Sequence, residues 1–270
     1  LRRYLTPLHL LCGGLLSLFI AGIVGLILAD GTYLVAKGLG PADIWALLTR
    51  EQVLFAIRMS LATSLCSLAL ILVTAVPIAY ALSRYRFPGH AVVNTLVDVP
   101  IVLPPVVIGI SLLCFFSFGF GIAIKQALAA CQLHLVSSIG IVLCQYLVAI
   151  SYCIRAVKAA FDNVDPELEQ VAGSLGCPPW QVFWRVSLPL ARGGILAGGI
   201  MAWARALGVF GPLMVFIGTA PRVMVMPTTL WLELSIGNIE TSVAIALIML
   251  LMAGSALVLV HWLSPEGRAL

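Results

Sequence analysis

Long apolar runs alternate with short polar stretches along this chain, and the runs are longer than the strands or surface helices of a soluble domain. They lie at about 10–29, 53–82, 91–116, 137–157, 192–219 and 241–263. Each reaches the ~20 residues that a helix needs to cross a bilayer. Backbone groups in lipid must be satisfied within their own segment, so all six runs are predicted to be α-helices. The chain reads as an all-α membrane protein with about six transmembrane helices, one domain over residues 1–270. Its longest polar interruption, 158–190, is a loop between the fourth and fifth spans.

Composition agrees: 61% of residues are hydrophobic, 10% are charged, and the mean hydropathy is +1.11. A soluble domain is roughly half apolar and about a quarter charged, so no globular domain fits beside the spans. Cations in the short loops set the orientation. With the N-terminus inside, one side holds Arg2, Arg3, Arg84, Arg86, Arg155, Lys158, Arg185, Arg192 and Arg268. The other side holds only Lys37, Arg50, Lys125 and Arg222. Both termini and the 158–190 loop are therefore predicted to be cytoplasmic. This sidedness accounts for the formal charge of +4 and gives no argument for nucleic acid. Arg2 and Arg3 ahead of the first run also fit a cleaved signal peptide. Against that, 10–29 is long for one, and its removal would leave five spans.

The seven cysteines are scattered without a Cys-x-x-Cys pair, and the four histidines are equally dispersed. Within apolar runs a thiol acts as a small hydrophobe, so neither a metal site nor a disulfide framework is predicted. No Gly-x-x-x-x-Gly-Lys-Ser/Thr occurs, so the chain lacks the loop that cradles ATP phosphates. No nucleophile stands beside a base, and an enzyme is not predicted.

The 158–190 loop carries strong local signals. Asp165 can cap a helix, Pro166 suits the first helical position, and Glu167 and Glu169 complement the positive helix end. Gly176 is a natural terminator in the left-handed conformation. Pro178-Pro179 restarts the chain, and Trp180 to Val186 is predicted as a second short helix that Leu188-Pro189 breaks before the fifth span. Two short helices would then lie across the membrane face and offer Leu168, Val171, Leu175 and aromatics for contact. Such a pair can dock as a knob in a groove of another protein, or rest on lipid headgroups as a peripheral amphipathic element.

This segment resembles the cytoplasmic coupling loop of ABC-importer permeases, whose form is Glu-Ala-Ala, three residues, Gly, nine residues, Ile-x-Leu-Pro. In Glu169-Gln170-Val171-Ala172-Gly173-Ser174-Leu175-Gly176 and Val186-Ser187-Leu188-Pro189, Gly176 and Pro189 keep the family spacing. Val186 replaces Ile, while Gln170 and Val171 replace the first two letters. Other segments are similar to molybdate permeases: Arg84-Tyr85-Arg86-Phe87-Pro88-Gly89, Pro100 to Gly109, Ala159 to Pro166, Ala204 to Gly211, and Leu234 to Glu240. Val209 stands where those permeases carry Glu.

The resemblance implies a type I importer permease in a prokaryotic inner membrane, moving tetrahedral oxyanions by alternating access. Molybdate or tungstate is implied first and sulfate second. A secondary carrier is the rival of another class, but the internal repeats typical of carriers are not evident. The implied partners are two copies of a separate ATPase, which binds the ATP and Mg, an extracytoplasmic oxyanion-binding protein, and a second permease copy as a homodimer. This chain itself would hold no cofactor. The implied ATPase-coupling residues are Asp165, Glu167, Leu168, Glu169, Gln170, Val171, Ala172, Gly173, Leu175, Gly176, Leu188 and Pro189.

Arg205 is the sharpest candidate inside the membrane. A charge at the bilayer centre costs roughly 2.5–3.5 kcal/mol on insertion scales and faces a cavity or a partner. It either lines the pathway for the anion or pairs with a carboxylate, Asp98 being the candidate. Arg58 lies nearer a membrane face and reads as snorkelling to the interface. Pro104 and Pro105 interrupt the third span, as a gate or as a packing kink. Gly193, Gly194, Gly198, Gly199, Gly208 and Gly211 permit close helix approach, at a dimer seam or within the subunit. Residues 117–136 are predicted as a surface helix that meets a binding protein.

Overall fold

The computed structural model describes residues 7–130, 138–218 and 224–263. Arg2, Arg3, Arg222 and Arg268, used above for sidedness, lie outside the described residues, as do Cys131, His134 and the side chains of His9 and His261. The elements are α1 (Pro7–Ala36), α2 (Pro41–Leu48), α3 (Glu51–Arg84), α4 (His90–Val102), α5 (Pro105–Phe115), α6 (Gly119–Ala130) and α7 (Ser138–Asp162). They continue as α8 (Pro166–Ser174), α9 (Pro179–Val182), a π-helical turn (Phe183–Ser187), α10 (Leu188–Leu207), α11 (Gly211–Phe216), α12 (Met226–Ser235) and α13 (Ile239–Leu263). Among the described residues, five helices are long and apolar enough to span a membrane, six if the bent pair α4–α5 counts as one span.

The centre of the bundle is the packing of α3, α7 and α10. Ile71, Ala75 and Ala79 meet Ala149, Cys153 and Val157, with Ala202 and Ala206 closing the third side. Close approach comes from small residues. A Cβ on Gly194 would sit 2.2 Å from the Cβ of Ala160, and one on Gly198 would sit 2.9 Å from that of Ala156. Gly194 and Gly198 therefore serve a seam inside the subunit, between α7 and α10. A buried stripe of Ser60, Thr63, Ser64 and Ser67 on α3 adds polar ties. Ser64 Oγ accepts from Trp203 Nε1 at 3.0 Å, and Ser60 Oγ accepts from the Met226 amide at 2.7 Å. Hydrogen bonds of this kind hold helices together where lipid offers no competing partner.

Two predicted spans differ from the sequence reading. The third is broken at Leu103-Pro104, where α4 and α5 meet at 109°. Proline donates no hydrogen bond, so α4 ends there and Pro105 opens α5 from its first turn. The two arms are fixed differently. On α5, Gly109 lies so close to Pro212 that an added Cβ would be 2.8 Å from its Cα, while α4 buries no residue of its own.

The fifth span starts earlier and ends earlier than predicted. Leu188-Pro189 does not break the chain; residues Pro179–Leu207 form one continuous apolar stretch of helix. The Leu188 amide reaches back to the Phe183 carbonyl in a π-type bond. This wider turn absorbs the donor that Pro189 lacks. The span closes at Leu207, and α11 follows as a separate short helix.

Charge sorts by end. Lys37 lies 4.0 Å from Glu240, and Arg50 donates to Thr241 at 3.4 Å, at the end where α3 begins. Arg84 and the α8 segment stand at the other end. Arg58 borders a cavity of about 690 Å³ with Thr49, Glu51 and Phe55 near the start of α3. Arg155 lies on α7 about one turn before Lys158, and α7 runs on to Asp162.

Candidate functional site

The first candidate site is the α8 end of the bundle. Asp165 Oδ1 accepts from the Glu167 amide at 2.9 Å, Pro166 occupies the first turn, and Gly176 has φ of +89°. The local signals in the sequence thus set both ends of α8. Leu168, Val171 and Leu175 recur at helical spacing and are exposed, Leu175 to 81%. Trp180, Trp184 and Leu190 extend this apolar ridge onto the root of α10. Asp165, Glu167, Gln170, Gly173, Gly176 and Pro189 are also exposed around it, while Ala172 and Leu188 are half-buried.

Glu169 is different from its neighbours. Its carboxylate points into the protein, where Oε1 accepts from Arg84 Nε at 2.9 Å and from Ser187 Oγ at 2.8 Å. Tyr80 donates to Oε2 at 3.4 Å, and Arg84 also donates to the Val164 carbonyl at 2.8 Å. The Arg84 and Glu169 side chains are only 11% and 12% exposed. Val182 is buried and Phe183 stacks edge-on against Tyr80 at 4.8 Å, so neither is available for docking. The exposed aromatics are Trp180 and Trp184. Arg84, Tyr80 and Ser187 were not singled out from sequence as functional. The signal was the cation pair Arg84 and Arg86 opposite a glutamate in the next cytoplasmic loop.

The second candidate site lies on α4, α7 and α10, all parts of candidate spans. Asp98 is not the partner of Arg205. It forms a two-pronged ion pair with Arg155, whose guanidinium also donates to the Asn94 carbonyl at 3.1 Å and to Asn94 Oδ1 at 3.3 Å. Arg205 instead stands over the Tyr152 ring, 5.8 Å from its centre, a cation–π placement. Tyr152 and Arg155 are one helical turn apart on α7 and so share a face. Val209 is buried among Ile108, Leu112, Ile141 and Val148, an apolar setting with no call for a carboxylate beside Arg205. Pro104 and Pro105 lie at the bend above Asp98, not against the α8 ridge.

Residues 71–268 match the family of binding-protein-dependent transport system inner membrane components. A probable molybdenum ABC transporter permease of Haloferax volcanii is 36% identical, over 93% of this chain and 90% of the relative. A molybdate/tungstate transport system permease of Thermococcus kodakarensis is 35% identical, over 80% of this chain and 81% of its own length. Among solved structures, a bacterial alginate ABC transporter in complex with its pentasaccharide-bound periplasmic protein superposes with a TM-score of 0.71 at 19% identity. That match covers 95% of this chain and 92% of that one. The inward-facing MetNI methionine transporter gives 0.58 over 84% of this chain and 100% of that one. The structural likeness establishes the fold. With the family match over most of its length, this chain belongs to the inner-membrane permease subunits of binding-protein-dependent ABC transporters, a transport component and not an enzyme.

Proposed function

We propose that this permease imports tetrahedral oxyanions, molybdate or tungstate before sulfate. The observation that carries this reading is sustained kinship with molybdenum and molybdate/tungstate permeases over most of the chain. Two copies enclose the pathway, because a closed two-fold pair is the simplest way for one kind of subunit to surround a substrate. An extracytoplasmic binding protein delivers the anion at the α6 end. Two ATPase subunits, carrying the ATP and Mg, receive the ridge of Leu168, Val171 and Leu175 from the cytoplasm, with both permease termini on that same side.

The Arg84–Glu169–Ser187 cluster supports a mechanical role for α8. It ties the docking helix to the end of α3 and the root of α10 together, so a displacement of α8 is passed to two spans at once. Arg205 lines the pathway and favours an anion in transit, and the bend at Pro104-Pro105 is the gate. Coupling between sites is reciprocal, so loaded binding protein stimulates ATP hydrolysis in return. Competition of molybdate, tungstate and sulfate for uptake into proteoliposomes holding the whole transporter tests the cargo. Molybdate and tungstate should each suppress the other's entry well below the concentration at which sulfate does. Equal or stronger suppression by sulfate would overturn that assignment.

A further inference from the structure

The Asp98–Arg155 pair is unusual in its setting. It sits within the spans, yet the two side chains remain 37% and 34% exposed in a single copy. A charged pair facing hydrocarbon is costly, so this face turns toward water or another protein. Tyr152, one turn toward the outer side, carries Arg205 over its ring. Tyr152 and Arg155 are three residues apart, about 4.5 Å along the axis of α7, so the Arg205 guanidinium from α10 and that of Arg155 are presented on one face of α7. The lower of them is closed by a carboxylate.

We propose that Arg155 is a relay site for the oxyanion, with the Asp98 carboxylate as its occupant when no cargo is present. This inference rests on the oxyanion reading above. A guanidinium presents a planar fork of donors that fits a carboxylate or a tetrahedral oxyanion equally well by two parallel hydrogen bonds. An anion leaving Arg205 for the cytoplasm meets Arg155 next, and it binds there by displacing Asp98. The displacement has a mechanical result. The inner arm α4 buries no residue of its own, and the Arg155 guanidinium grips both Asp98 and Asn94 on it. Exchange of anion for carboxylate therefore loosens α4 from α7, below a 109° break that already uncouples it from α5. Cargo arrival and release of the inner arm become one event. Neither Asp98 nor Arg155 needs to touch the ATPase for this.

Equilibrium binding of labelled molybdate to the purified permease–ATPase complex, without binding protein, tests the exchange. Asp98→Asn removes the competing charge and should tighten molybdate binding at least fivefold. Arg155→Gln placed in that background should abolish that gain. Binding of neither molybdate nor sulfate any tighter in Asp98→Asn than in the unaltered complex would overturn the proposal. Arg155→Lys guards against a misfolded variant, because it keeps the ion pair but offers a point charge instead of a fork. It should assemble with the ATPase normally and lose at least fivefold in uptake per ATP hydrolysed. Uptake per ATP within twofold of normal would reduce the pair to a structural contact. A sulfate arm separates the two claims: if Asp98→Asn tightens sulfate and not molybdate, the relay stands and the cargo assignment falls. If it tightens neither, the relay falls whatever the cargo is.

Discussion

Arg84–Glu169 and Arg155–Asp98 are both guanidinium–carboxylate pairs, but they are built for opposite purposes. The first is nearly sealed, with side chains 11% and 12% exposed, and its carboxylate accepts from Arg84, Ser187 and Tyr80. A charge so placed has no better alternative, and breaking the pair would strand its partner. The second is about one-third exposed on each side, and no third side chain donates to its carboxylate among the described residues. A pair of that kind can be opened by a competing ion. On the proposed function, the contrast separates a joint that must not slip, where α8 meets the spans, from a contact that can exchange with an anion.

The largest expected effect comes from the packing on which both regions depend. Gly194→Leu forces a side chain into Ala160 on α7, and no folded chain should survive detergent extraction and size-exclusion chromatography. Gly208→Ala, with its nearest neighbour 3.9 Å away, should extract normally. Next is the sealed pair. Glu169→Ala leaves Arg84 without its counter-charge, a loss of roughly 3–5 kcal/mol for a buried pair. The complex should melt earlier, and uptake per ATP should fall at least tenfold. At the exchanging region, Arg205→Ala should abolish uptake while the complex assembles and melts normally. Unchanged transport there would remove Arg205 from the pathway. The smallest effect is expected of Tyr80→Phe, which deletes one long bond of 3.4 Å to a carboxylate that keeps two shorter ones. A cost of about 1 kcal/mol or less and uptake within twofold should result. A loss as large as that of Glu169→Ala would show that the joint depends on the phenol as well.

Legibility in the sequence followed the range of each signal. Helix α8 could be read to within a residue or two, because Asp165, Pro166 and Gly176 act on the backbone beside them. The broken third span was visible as Pro104-Pro105 for the same reason. Pro189 misled, because its local effect is to deny a donor, and whether the chain then breaks or widens into a π-turn depends on Val182 and Ser187 being buried in the bundle. Partners across helices were out of reach. Asp98, the acidic residue of the third span, pairs with Arg155 on α7 and not with Arg205, a partnership that no local signal announces. Glu169 looked like its exposed neighbours, since nothing in a single sequence tells which side of α8 meets Arg84.

The central claim, that α8 is the cytoplasmic handle of a separate ATPase, has a direct test. Val171→Asp with Leu175→Asp places two charges on the exposed ridge and leaves Glu169, Arg84 and every buried contact untouched. The tagged permease, purified from membranes that also hold its ATPase, should carry ATP-hydrolysing activity when unaltered. The double variant should lose at least nine-tenths of that activity while remaining folded. Full capture of the ATPase by the double variant would contradict the account.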